Sequence, residues 1–158
     1  MKLTLGPKTH FVVNMFNLPE GATITLDDQG QLHSFKDEPA IVWPKGTKEW
    51  WKHGVKHREN GPACLGSNGL EKWYLNGHEH RDGGPAIVHP EGRKEWFYLG
   101  ARLIVNDKVI TDYGFMKSKK FQDFVCRNRP DLISQIPNLD PDLKAKYRHE
   151  LGLNATDI

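Results

Sequence analysis

The residues of this chain best equipped for chemistry are histidine and arginine, and they recur together. His57-Arg58 and His80-Arg81 are each followed, two residues later, by Gly-Pro-Ala, at Gly61-Pro62-Ala63 and Gly84-Pro85-Ala86. With Arg102 nearby, such pairs offer guanidinium forks that match the planar oxygens of a phosphate or carboxylate. Glycine-rich turns beside them can add backbone amides facing an anion. The competing reading is structural: each arginine pairs with its own Glu59 or Asp82 or lies over a tryptophan as a cation–π pair, and each histidine hydrogen-bonds a turn. Both readings stay open on sequence alone.

Metal and nucleophile chemistry are less well supported. His53, His57, His78, His80 and His89 fall close together, and three neutral imidazoles can hold zinc. No cysteine or carboxylate recurs beside them at ligand spacing, so neither a metal nor a cofactor is expected. A nucleophile needs a base and an orienting group, yet no serine or cysteine recurs beside the histidines. No catalytic residue is expected, and the chain reads as a binding protein, not an enzyme.

The elements that must position these side chains carry a strict phase. Gly54, Gly77 and Gly100 are 23 residues apart, as are Pro39, Pro62 and Pro85; Gly46, Gly69 and Gly92; and Trp50, Trp73 and Trp96. Such phase predicts stacked, equivalent units. In each copy a short apolar run (Ile41-Val42, Cys64-Leu65, Ile87-Val88) leads to a turn, an aromatic pair (Trp50-Trp51, Trp73-Tyr74, Trp96-Phe97) and a second glycine. Two β-prone runs between glycine-bearing turns predict one antiparallel hairpin per copy, each run being too short for a helical stripe. The rows Lys48, Glu71, Lys94 and Glu49, Lys72, Glu95 alternate in sign. In stacked copies each charge would face an opposite one about 10 Å away, two strand spacings on. Such exposed pairs contribute about 0.2–1 kcal/mol; the alternative is a solvated face.

The string Trp73, Gly77, His80, Gly84, Ala86, Gly92, Trp96 resembles the MORN repeat, a β-hairpin unit of the same length with tryptophan, glycine, histidine and glycine in that order. It departs by carrying His-Arg, two residues and Gly-Pro-Ala where the common repeat has His-Gly-x-Gly. This variant is similar to repeats in accessory proteins of bacteriophages and large viruses. The resemblance spans Gly30 to about Leu103 and implies interaction or scaffolding.

Flanking segments are expected to close the array. Residues 1–29 hold β-prone runs at Leu3 and Leu5, Phe11 to Val13 and Ile24 to Leu26; residues 30–104 hold the copies; residues 105–158 read as helical. There Ser118 caps a helix carrying Phe121, Phe124 and Val125, Pro130 stops it, and Leu132, Ile133 and Ile136 suggest a short turn. Asp140-Pro141 opens a last helix with Leu143, Tyr147 and Leu151 on one face, ended by Gly152. The fold class is mainly β (α+β), an antiparallel sheet with a C-terminal helical cap.

At 158 residues and 37% hydrophobic content the chain fits one domain. A net charge of +2, from 22 basic and 20 acidic residues, argues against nucleic acid as partner. No run reaches a membrane span of about 18 apolar residues, no polybasic cluster accompanies an amphipathic helix, and no signal-peptide core is present. A cytoplasmic location is expected, host cytoplasm for a viral protein. Cys64 shares a row with Ile41 and Ile87, which marks a core thiol. Adjacent aromatics on a strand point to opposite faces, so Trp51, Tyr74 and Phe97 form a second row beside the tryptophans. The expected partner-binding residues are Trp51, Tyr74, Phe97, His57, Arg58, His80, Arg81 and Arg102, for they join aromatics and arginine. The partner is read as a protein that the chain captures or inhibits; the alternative is a sponge for a small anionic ligand or nucleotide. Open sheet edges also permit a homo-oligomer.

Overall fold

Turns set the architecture. The computed structural model describes residues 1–4, 18–110, 113–136 and 138–150. Each 23-residue copy makes two short hairpins where one was expected. Ile41–Val42 (β3) pairs with Lys48–Glu49 (β4), the chain leaves the ladder at Trp50, and Trp51–Lys52 (β5) then pairs with Val55–Lys56 (β6). Cys64–Leu65 (β7) and Glu71–Lys72 (β8), then Tyr74–Leu75 (β9) and His78–Glu79 (β10), repeat the pattern. In the third copy Ile87–Val88 (β11) pairs with Lys94–Tyr98 (β12), which runs on unbroken to pair with Ala101–Val105 (β13). The expectation failed because it put both aromatics on one strand of a single hairpin. In the first two copies the residues before the tryptophan finish one hairpin, and the aromatic after it opens the next; in the third both aromatics lie on β12.

The second hairpins close on two-residue loops, His53-Gly54, Asn76-Gly77 and Leu99-Gly100, with φ of 46° and 78°, 48° and 85°, 46° and 87°. Positive φ at both positions is the type I′ turn, which matches the twist of a hairpin and explains the phased glycine. Leu99 is the costly member, since a bulky side chain rarely adopts this conformation.

With Lys2–Thr4 (β1), Thr23–Thr25 (β2), β13 and Lys108–Val109 (β14), the first hairpins build a ten-stranded antiparallel sheet in the order β1-β2-β3-β4-β7-β8-β11-β12-β13-β14. The β5–β6 and β9–β10 pairs form two separate two-stranded ladders. The sheet therefore continues to Val109, beyond residue 104 where helix was expected to take over. Leu3 and Ile24 pair as expected, while Leu5 and Phe11 to Val13 lie outside the described residues.

Short helices follow at Tyr113–Met116 (α1), Lys119–Asn128 (α2), a 3-10 turn at Pro130–Gln135, and Pro141–Glu150 (α3). Ser118 caps α2, its Oγ accepting the Phe121 amide at 3.3 Å, and Asp140 caps α3, its Oδ1 accepting the Asp142 and Leu143 amides at 2.9 and 3.2 Å. Leu143 and Tyr147 are buried on one face of α3; Leu151 and Gly152 lie outside the described residues.

Apolar packing is concentrated at the two ends. Leu18, Ala22, Ile24, Leu26, Leu32, Ala40 and Ile41 form one cluster, and Trp96, Leu103 and Ile104 form another with Phe121, Phe124, Val125 and the helices beyond. Between them Trp50, Ala63, Cys64, Ala86 and Ile87 are buried but belong to neither. Both cysteines are buried free thiols, and burial pushes Cys126 up to about 11. The alternating charge rows do lie two strands apart, as in Glu49, Cys64, Lys72, Ile87, Glu95. Among the described residues, however, no ion pair joins neighbours within a row. Glu49 pairs with Lys56 at 3.3 Å and Glu95 with Arg102 at 3.3 Å, each inside its own copy. Lys72 and Glu79 hold the same two positions with signs reversed, but Glu79 accepts the Tyr74 hydroxyl at 2.9 Å.

Candidate binding surface

The His-Arg and Gly-Pro-Ala signatures are two halves of one internal clamp. The Arg58 guanidinium lies 3.8 Å from the centre of the Trp50 ring, and that of Arg81 lies 3.8 Å from Trp73. Opposite each is a buried glycine: a Cβ on Gly61 would sit 2.8 Å from Arg58 Nη1, and one on Gly84 would sit 3.0 Å from Arg81 Cζ. The next residue's carbonyl accepts from the same fork, Pro62 O from Arg58 at 3.2 Å and Pro85 O from Arg81 at 3.4 Å. Thus the glycine makes room, the proline carbonyl orients and the ring supports. Arg58 also makes a bidentate bond to Asp37, at 2.8 and 2.7 Å, and this guanidinium holds the Asp37 carboxyl below its ordinary value. The partner is Asp37, not the expected Glu59, and Asp82 pairs with Arg127 instead of Arg81.

Gly61→Ala is expected to push the Arg58 guanidinium off Trp50. A stacked cation of this kind contributes about 0.5–2 kcal/mol, so urea unfolding should show a loss of about that size. The same change in an Arg58→Ala background should cost close to nothing, because no guanidinium remains to displace.

The histidines serve as bolts between neighbouring copies. His57 Nδ1 accepts the Asn76 amide at 3.1 Å, and His80 Nδ1 accepts the Leu99 amide at 3.4 Å. Each bond secures the first residue of a type I′ loop, and the loop glycine adds another: Gly77 N donates to Lys56 O at 2.8 Å and Gly100 N to Glu79 O at 2.9 Å. His57 and His80 are buried. Of the expected partner-binding residues, His57, Arg58, His80 and Arg81 are thus built into the array, in line with the structural reading of the motif.

The third clamp is completed from outside the phase. The positions of His80 and Arg81 are taken 23 residues later by Leu103 and Ile104, both fully buried against the helices. The cation over Trp96 is instead Arg129, 4.6 Å from the ring centre, held by Asp131 at 2.5 Å and Asp107 at 2.9 Å. Sequence reasoning missed Arg129. Its only trace is the gap in the row, a phased tryptophan with no phased arginine.

Trp51, Tyr74 and Phe97 form the second aromatic row, each half-buried. Lys56 Nζ lies 5.5 Å from the Trp51 ring and 5.6 Å from the Tyr74 ring, bridging two copies. Trp51 Nε1 donates to Glu49 at 3.1 Å, and the Tyr74 hydroxyl donates to Glu79 at 2.9 Å; burial and this carboxylate raise the phenol pKa. Phe97 is paired with Arg102, which is 54% exposed and reaches Glu95. Burial works to raise the Glu95 pKa, but bonds from His89 and Arg102 outweigh it and hold it below the ordinary value. The C-terminal helices pack on Trp96 and Tyr98, on the opposite side of β12 from Phe97. At the N-terminal end the row borders a cavity of about 490 Å³ lined by Leu32, Ile41, Trp43, Trp51 and Lys56.

Among the described residues no helix is long and apolar enough to cross a membrane. No protein-family model matches the chain, and neither a curated protein nor a solved structure matches it.

Proposed function

We propose that the protein is a non-enzymatic binding module, a MORN-like array of 23-residue copies that docks a partner protein on the face bearing Trp51, Tyr74, Phe97 and Arg102. The observation that carries this is the placement of the helical cap on the Trp96 and Tyr98 side, with the second aromatic row left half-buried beside Lys56 and Arg102. Aromatic rings with flexible cations around them are the composition of interface hot spots. The resemblance of the His-Arg/Gly-Pro-Ala copies to phage accessory proteins makes capture or inhibition of a host protein the working role. Arg58 and Arg81 then act indirectly, by holding the copies in register.

The alternative, a sponge for a small anion, draws on one observation. Arg81 lacks the carboxylate that Arg58 has in Asp37; among the described residues its fork forms no ion pair. A pulldown from bacterial lysate with the wild type and a Tyr74→Ala/Phe97→Ala variant separates the two. The proposal expects a stoichiometric protein partner retained by the wild type and lost by the variant, with folding of the variant checked by circular dichroism. Failure to retain a partner, together with nucleotide binding in calorimetry that Arg81→Ala abolishes, would replace it with the sponge.

A further inference from the structure

Asp27, His33 and His53 bring one carboxylate and two imidazoles together at the N-terminal end of the array. One ligand atom from each lies within 4.8 Å of those from the other two. The carboxylate is held in advance: Asp27 Oδ1 accepts the Gln29 and Gln31 amides at 3.0 and 2.8 Å, while Oδ2 lies 2.9 Å from His53 Nδ1. The Asp27 side chain is only 9% exposed. His33 is fixed by the bolt seen elsewhere, its Nδ1 accepting the His53 amide at 3.3 Å, and the two rings are 4.4 Å apart. Zinc bonds of about 2.0–2.2 Å in a tetrahedron separate ligand atoms by roughly 3.3–3.6 Å, so closing this cluster on an ion takes side-chain adjustments of about 1 Å.

From this geometry we propose that Asp27, His33 and His53 form a binding site for a divalent transition metal, zinc being the expected ion. Two imidazoles and a carboxylate favour zinc over calcium or magnesium, which take oxygen ligands. The location supplies a purpose. His33 is followed by Ser34, where His57 and His80 are followed by Arg58 and Arg81, so the segment leading into the first copy adds no guanidinium clamp. An ion there would join three segments, the end of β2, the strap after it and the first type I′ loop. Only this copy places a histidine at the loop position; the later copies have Asn76 and Leu99. The site borders the proposed docking face, since His33 and Trp51 line one pocket, and its test reads metal binding alone.

The test uses the whole protein, stripped with chelator and titrated with zinc alone by competition against a chromophoric chelator, and with cobalt alone for its visible absorption. His53→Asn keeps the turn, since Asn76 occupies the same conformation at φ 48°, and Asp27→Asn keeps an oxygen for the two amides. The wild type should bind one equivalent of zinc and melt at higher temperature with it. Each variant should bind at least about tenfold more weakly, with the cobalt spectrum lost. His89→Ala, away from the site, should leave affinity unchanged. Absence of micromolar zinc binding, or wild-type affinity in either Asp27→Asn or His53→Asn, would overturn the site.

Discussion

Phe124→Ala should cost about 3–5 kcal/mol of stability, a large share of the roughly 5–15 kcal/mol that folded domains commonly have. Phe124 is fully buried on α2, with ring centres 5.6 Å from Tyr98 and 6.4 Å from His80. It therefore packs on both the β12–β13 hairpin and the bolt that secures its Leu99 loop. Removing the ring leaves a cavity beside a loop that already holds a leucine at positive φ. Neighbouring bonds depend on the same helix: the Phe124 carbonyl accepts from Asn128, which in turn accepts the Gly83 amide. Urea unfolding followed by near-ultraviolet circular dichroism would measure the loss. Phe35→Ala is the matched control, because Phe35 is 48% exposed and should change stability by no more than about 0.5 kcal/mol.

Trp50→Ala should cost a similar amount, about 3–5 kcal/mol, for a different reason. Trp50 is 5% exposed yet belongs to neither apolar cluster. It lies beneath Arg58, and its Nε1 donates to Asp37 O at 2.8 Å. Alanine removes the platform of the cation and one of the bonds that fix the Asp37 strap. Trp50→Phe keeps a ring face and loses the indole bond, so it should cost on the order of 1 kcal/mol from that bond plus a smaller packing term. Thermal melts of the three proteins would rank wild type, phenylalanine and alanine in that order. Equal losses for phenylalanine and alanine would mean that the indole bond, not the stacking surface, carries the site.

Much of this architecture was legible because turns and caps are local. The phased glycines of the type I′ loops, Ser118 and Asp140 at helix starts, and the β-prone pairs Ile41-Val42 and Ile87-Val88 all act within a few residues of themselves. Division of each copy into two hairpins was not legible, because strands of two residues carry no alternation to count. The ion pairs were read from the nearest carboxylate in sequence, Glu59, whereas the one that reaches Arg58 is Asp37, distant in sequence; 23 residues on, its position is held by Asn60, which has no carboxylate. Arg129 escaped because a side chain donated by the cap has no phase of its own. The choice of face for the second aromatic row became visible only with Phe124 and its neighbours seated on Trp96 and Tyr98.

Cohesion in the middle of the array comes largely from stacked cations, imidazole acceptors and loop amides, while the two large apolar clusters lie at the ends. A molecule built so is closer to a chain of interchangeable links between two fixed buckles than to a droplet with a single centre. Gaining or losing one whole link would alter the length of the proposed contact face while leaving both buckles as they are. Such a lineage could retune its reach by copying a short stretch of gene, with no need to redesign an interior.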